Sequence, residues 1–225
     1  MSTLLLQLKA PMQSWGISAK FDSRSTERVP SKSAIIGMIA GALGKKRNAP
    51  IDALNVLRFG VRIDKEGILM RDFHTAHNTS DAYVTVRDYL ADAAFLVGLE
   101  GKQDLLETIE FALKHPVYPI FLGRRSCPPE GRLVLGIRDN SLLNALKAEP
   151  WIADDKERGQ KVRFVLDASD DEEESYILRD NAVSFDQNCR RFAFRRIRDF
   201  RDVTENLAEE ISDREPDTHF DAMLF

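Results

Sequence analysis

The chain has 225 residues, 43% of them hydrophobic and 30% charged, with a formal net charge of −4 at neutral pH. That apolar share excludes disorder over most of the length and suffices for one generous domain or two small ones. No apolar run approaches the roughly 18–20 residues of a spanning helix, and the start, MSTLLLQLKAPM, lacks the basic region of a secretory signal. A soluble, cytoplasmic protein with no membrane partner is expected.

Residues 3–9, TLLLQLK, read as a buried strand, and 11–30 as a polar, Ser/Arg-rich connection. Ser31 can cap a helix that puts Ile35, Ile36, Ile39 and Leu43 on one face, with Gly44 as its stop. Gly37 and Gly41 would let another backbone approach that helix closely. Pro50 suits the first turn of a short helix over 51–57. Residues 59–63 and 68–73 read as strands joined by the turn 64–67, a hairpin signal. The stretch 74–85 is polar without a helical period, and 89–99 is again strand-like. Leu105, Leu106, Ile109, Ala112 and Leu113 mark a helix over 104–114, closed by His115-Pro116. VYPIFLG and RLVLGIR then read as two more strands.

With one extra excursion, this order is a β-α-β-β-α-β pattern, so an α+β, ferredoxin-like core is expected over 1–138. A short helix around 141–148 and strands near 161–167, 174–179 and 190–198 suggest a small C-terminal β subdomain over 139–201. Its tip would be the acidic turn Asp170–Glu174, and an acidic tail follows over 202–225.

The net charge hides an uneven distribution. Residues 1–50 carry eight Lys/Arg against two Asp/Glu, a balance of +6, whereas Asp202–Phe225 carries eight Asp/Glu against one Arg, a balance of −7. Between them, Arg190–Arg201 holds six arginines interleaved with Phe192, Phe194 and Phe200. A mildly acidic total therefore does not exclude an anionic ligand. Solvated charged faces are the plainer reading of any single run.

No phosphate-binding GxxxxGK[ST], dinucleotide GxGxxG, GxSxG or HExxH motif occurs, and no cofactor is expected. Cys127 and Cys189 lie too far apart for a disulfide framework, and Cys127 has no histidine near it in sequence. His74 and His77, flanked by Asp72 and Asp81, make a metal site conceivable, but no further ligands are evident and none is expected. Arg71, Asp72 and His74 emerge together at a strand end, where His74 either serves a function or closes a loop by hydrogen bonding. Trp15 is either core or a stacking platform. Arg24, Arg28 and Lys32 sit in or just before the first helix, where backbone N–H groups and the helix dipole favour an anion. Gly123-Arg124-Arg125-Ser126 offers a second phosphate clamp. Together with the Arg/Phe strand, these make RNA the leading partner.

The succession strand, APMQSWG, polar connection, VPSKSAIIGMIAGALG, RDFHT and FLGRRSCP resembles the CasD subunit family of the type I-E Cascade CRISPR surveillance complex. The resemblance covers 1 to about 138, and PMQSWG and LGRRSCP are its distinctive motifs. It implies a RAMP-type, RRM-related core that holds the repeat-derived 5′ handle of the CRISPR RNA. It also implies a thumb at about 74–87 packing on the Cascade backbone subunit, with the large PAM-reading subunit as neighbour. Target DNA would be met only through the complex. The implied RNA-binding surface comprises Gln13, Trp15, Arg24, Arg28, Lys32, Ser33, Arg71, His74, Gly123, Arg124, Arg125 and Ser126, with no catalytic residue. The alternative is a metal-independent endoribonuclease of the type I-C kind, drawing acid and base from His74, Lys32 and Tyr89.

Overall fold

A computed structural model describes residues 1–16, 23–77, 82–153, 161–169, 172 and 174–204. The fold is mixed α+β and dominated by sheet. Its strands are β1 (Ser2–Lys9), β2 (Met12–Gln13), β3 (Ser23–Arg24), β4 (Arg58–Lys65), β5 (Ile68–His77), β6 (Ala82–Ala91), β7 (Ala94–Gly101), β8 (Val134–Arg138), β9 (Val162–Asp167), β10 (Ser175–Ser184) and β11 (Arg191–Asp202). Its helices are α1 (Lys32–Ala42), α2 (Asp52–Asn55), α3 (Gln103–Lys114) and α4 (Leu142–Ala148). Seven strands form one sheet in the order β10-β11-β9-β4-β7-β1-β8, antiparallel at every pairing. The interior strand β1, between β7 and β8, is apolar at consecutive positions because both faces of the sheet are covered. Leu4, Leu6 and Leu8 face the larger core with α1 and α3, and Leu5 faces a smaller core under α4.

β9–β11, expected as a small subdomain, extend this sheet from the edge of β4. A buried cluster of charges welds them to the first helix. Asp180 is fully buried and accepts from Arg195 Nε and Nη2 at 2.5 and 2.8 Å, and from the backbone N–H of Lys32 at 2.9 Å. Asp167 accepts from Arg195 Nη1 at 2.6 Å, Lys32 Nζ at 2.9 Å and the Phe59 N–H at 2.8 Å. A second buried arginine, Arg62, holds Asp64 with two hydrogen bonds of 2.7 and 2.8 Å. Its remaining donors go to the carbonyls of Leu146, Glu149 and Pro150, ending α4 where a helix leaves carbonyls unpaired.

Two expectations need correction. VYPIFLG is not a strand: Pro116 and Pro119 cannot donate to a ladder, and the segment runs irregularly past the end of α1, with Val117 N–H donating to Ala42 O at 3.0 Å. Residues 59–63 and 68–73 do not pair with each other either. β4 stays in the main sheet, whereas β5 pairs with β6 over their whole length, Ile68 opposite Ala91 and His77 opposite Ala82. The short strands β2 and β3 pair with β6, completing a second, four-stranded sheet. The apolar run 89–99 is accordingly cut at Asp92, whose φ of 54° turns the chain from one sheet to the other. The tip of the β5–β6 hairpin, most of the acidic turn 170–174 and most of the acidic tail lie outside the described residues.

Candidate nucleic-acid interface

The second sheet and the irregular segment after α3 meet at one loop. Ser14 N–H donates to Leu122 O (3.1 Å), Leu122 N–H to Cys127 O (2.7 Å) and Cys127 N–H to Arg124 O (2.9 Å), closing residues 122–127 tightly on the strand end that carries PMQSWG. Gly123 makes this possible. Its φ is +87°, and a Cβ there would fall 1.6 Å from the Ser14 carbonyl oxygen. The loop thereby delivers Arg124 to Tyr89 of β6 and Arg24 of β3. Arg124 Nη2 donates to Arg24 O at 2.7 Å, and its guanidinium lies 4.6 Å from the centre of the Tyr89 ring. Burial alone would push the Tyr89 phenol up, but Arg124 and Ser126 outweigh it and bring the phenol below its ordinary value. Two donors at this junction are buried without a partner among the described residues, Arg124 Nη1 and Trp15 Nε1. Buried donors normally find an acceptor.

Around this point the expected residues divide. Arg24, Arg28, Arg125 and Ser126 are exposed. Arg71 of β5 is exposed too, directly opposite Asp88 of β6 and donating to it at 2.9 Å, which raises its pKa. Gln13, Trp15, Lys32 and Ser33 turn inward. Gln13 Nε2 donates to Leu8 O and Ala93 O, pinning two strand ends together. Trp15 is 1% exposed and belongs to the core. Ser33 lies against Ser31, and Lys32 is held by Asp167. The N-terminus of α1 is no open anion site, because Asp180 already takes the Lys32 N–H.

His74 pairs with Asp72 on β5 and stands apart from this cluster. Tyr89 lies opposite Met70, four residues from His74, which is roughly 13 Å along a strand. With Lys32 buried in its ion pair, the three donors considered for RNA cleavage are not assembled. No group of three His, Cys, Asp or Glu side chains suited to a metal forms among the described residues, and Asp81 lies outside them. Cys127 is buried, and burial is the main cause that raises its thiol pKa. Reading the sequence missed Tyr89 as a partner of Arg124. No local pattern announces it: the contact depends on Gln13 pairing with Leu90 and on the loop 122–127 closing onto Ser14.

Known proteins share this architecture. A structure described as a CRISPR RNA-guided surveillance complex contains a chain that matches with a TM-score of 0.78 and 33% identity, covering 91% of this chain and 92% of that one. A structure described as the crystal structure of a Cas protein matches with a TM-score of 0.73 and 35% identity, over 91% and 96% of the two chains. The class is therefore that of the CRISPR-associated proteins. Among curated relatives, the CRISPR system Cascade subunit CasD of Escherichia coli (strain K12) is 35% identical over 159 residues, covering 60% of this chain and 70% of that one. The family model described as CRISPR-associated protein (Cas_Cas5) matches residues 3–198, and the chain belongs to that Cas5 family.

Proposed function

We propose that this chain is a non-catalytic RNA-binding subunit of a type I-E Cascade complex in the cytoplasm, where it holds the 5′ handle of the guide RNA for antiviral DNA interference. The observation that carries this reading is Arg124, set by the Gly123 turn over Tyr89 with one buried donor that has no partner among the described residues. A phosphate oxygen or base edge would satisfy it, with Arg24, Arg28, Arg71, Arg125 and Ser126 around it and Trp15 and Gln13 shaping the floor. The antiparallel order β8-β1-β7-β4, with α1 and α3 in its crossovers, supports a ferredoxin-like core over 1–138. Residues 139–201 add a β unit joined through β4. The β5–β6 hairpin supports a thumb. Exposed Phe73, Tyr83 and Val84 suit it to the backbone subunit, and the large PAM-reading subunit and, through the complex, target DNA complete the partners.

The test is ultraviolet cross-linking of labelled repeat RNA to the co-expressed complex in EDTA. A cross-link mapping to the handle on intact RNA is expected, and Arg124→Ala/Arg125→Ala should reduce guide loading. If both arginines contact phosphates, the dependence of binding on log salt should flatten by roughly 1.4. Discrete shorter products lost in His74→Ala would overturn the non-catalytic reading, and unchanged guide loading in the double variant would overturn the site.

A further inference from the structure

The far side of the sheet carries a second basic and aromatic surface, on the strand whose arginines and phenylalanines stood out in the sequence. On β11 the arginines divide by face. Arg195 points into the larger core and is saturated by two aspartates. Arg198 points the other way, toward the α4 side, where its guanidinium lies 4.6 Å from the centre of the Phe200 ring, itself stacked on Phe164. α4 packs over β7, β4 and β1, with β9 in the same small core, and among the described residues no helix covers the outer part of β10 and β11 on this face. There Ile177 is 59% exposed and Phe194 is 66% exposed. Arg179 of β10 lies 5.8 Å from the centre of the Phe194 ring. Among the described residues neither Arg179 nor Arg198 comes within ion-pair distance of a carboxylate, whereas Arg62, Arg163 and Arg195 all do. Arg198 acts on the Glu172 carboxylate only from farther off, as one of the lesser causes that lower its pKa.

We infer that the open face of β10 and β11 binds an unpaired nucleic-acid strand, its phosphates on Arg179 and Arg198 and a base stacked on Phe194. Two features select a single strand over other polyanions. Arginines standing on aromatic rings can turn N–H groups outward. Arg179 gives its Nε to Phe192 O at 3.4 Å and keeps its two terminal nitrogens for a ligand. A two-thirds exposed phenylalanine beside Arg179, four residues along β11 from Arg198, contributes only if a base can lie flat on it, which a paired duplex does not offer. This face lies on the opposite side of the seven-stranded sheet from α1 and α3, so it does not depend on the Arg124 site.

The inference is tested on the full chain by fluorescence anisotropy at low salt with labelled oligothymidylate and the same strand in a duplex. Arg179→Ala/Arg198→Ala should weaken oligothymidylate binding and flatten its salt dependence by roughly 1.4. Phe194→Ala should weaken single-strand binding at least about five-fold and leave duplex binding unchanged. Arg124→Ala/Arg125→Ala should leave the single-strand signal standing, which separates this face from the handle site. Circular dichroism checks that each variant folds. No oligothymidylate binding by the wild type, binding lost only through Arg124 and Arg125, or an equal loss for duplex and single strand in Phe194→Ala would each overturn the inference.

Discussion

The carbonyl oxygen of Ser14 fills the space that a side chain at position 123 would need. The two residues belong to distant parts of the sequence, yet the Gly123 turn is pressed so closely on Ser14 that an added Cβ would lie 1.6 Å from that oxygen. The arginine loop is thus fitted to the PMQSWG segment.

Gly123→Ala should therefore damage the loop more than a methyl group suggests. A left-handed φ costs a non-glycine residue about 1–2 kcal/mol, and the contact with backbone forces the loop off Ser14. A lowered melting temperature together with weakened guide loading is expected. Wild-type values for both would show that the loop is not held this way.

Arg195→Ala leaves Asp180 buried with only the Lys32 N–H, and Asp167 with one fewer donor. Breaking a buried pair of this kind costs about 3–5 kcal/mol. Urea denaturation should show a lower midpoint with an unchanged slope. A loss of under about 1 kcal/mol would mean that water already reaches the cluster.

The two thiols should react on different schedules. Cys189 is exposed, whereas burial raises the Cys127 thiol above its ordinary range, so little thiolate forms. At neutral pH, a thiol reagent should modify Cys189 in the native protein and Cys127 only after unfolding. Rapid labelling of both would contradict the packing around 122–127.

Tyr89 offers a titration with a defined sign. Its phenol lies below the ordinary value of 10.0 in the folded protein. Ionisation therefore favours the native state: the gain is present above the unfolded value, fades as pH falls through the folded one, and is absent at neutral pH. The ultraviolet difference between wild type and Tyr89→Phe should titrate early. In an Arg124→Ala background it should move up, because burial then dominates. No movement would separate the arginine from the ring electrostatically.

The parts of this protein that were legible in its sequence are those fixed by local pattern. Ile35, Ile36 and Ile39 define α1, Leu106, Ile109 and Leu113 define α3, and the leucines of β1 reveal a strand covered on both faces. The LGRRSCP motif located the loop. What stayed hidden depends on pairing across distance. The turn 64–67 carries every local sign of a hairpin, but a turn cannot announce that its two strands enter different sheets. Lys32 looked like a phosphate ligand because its partners, Asp167 and Asp180, lie 135 and 148 residues away. Trp15 and Gln13 turn inward, one into the core and the other onto two backbone carbonyls, which composition does not distinguish from an outward-facing pair.

The cap that Asp180 sets on α1 also gives the chain a birth order. Helix α1 leaves the ribosome long before the carboxylates that complete it. At roughly 5–20 residues per second, the 135 residues from Lys32 to Asp167 take about 7–27 seconds to make. Through that interval the nascent first half carries a lysine that folding will bury, with neither of its counter-charges yet made. The last strands are therefore the step that commits the first helix, and a chain released before them cannot bury Lys32 in its final ion pair.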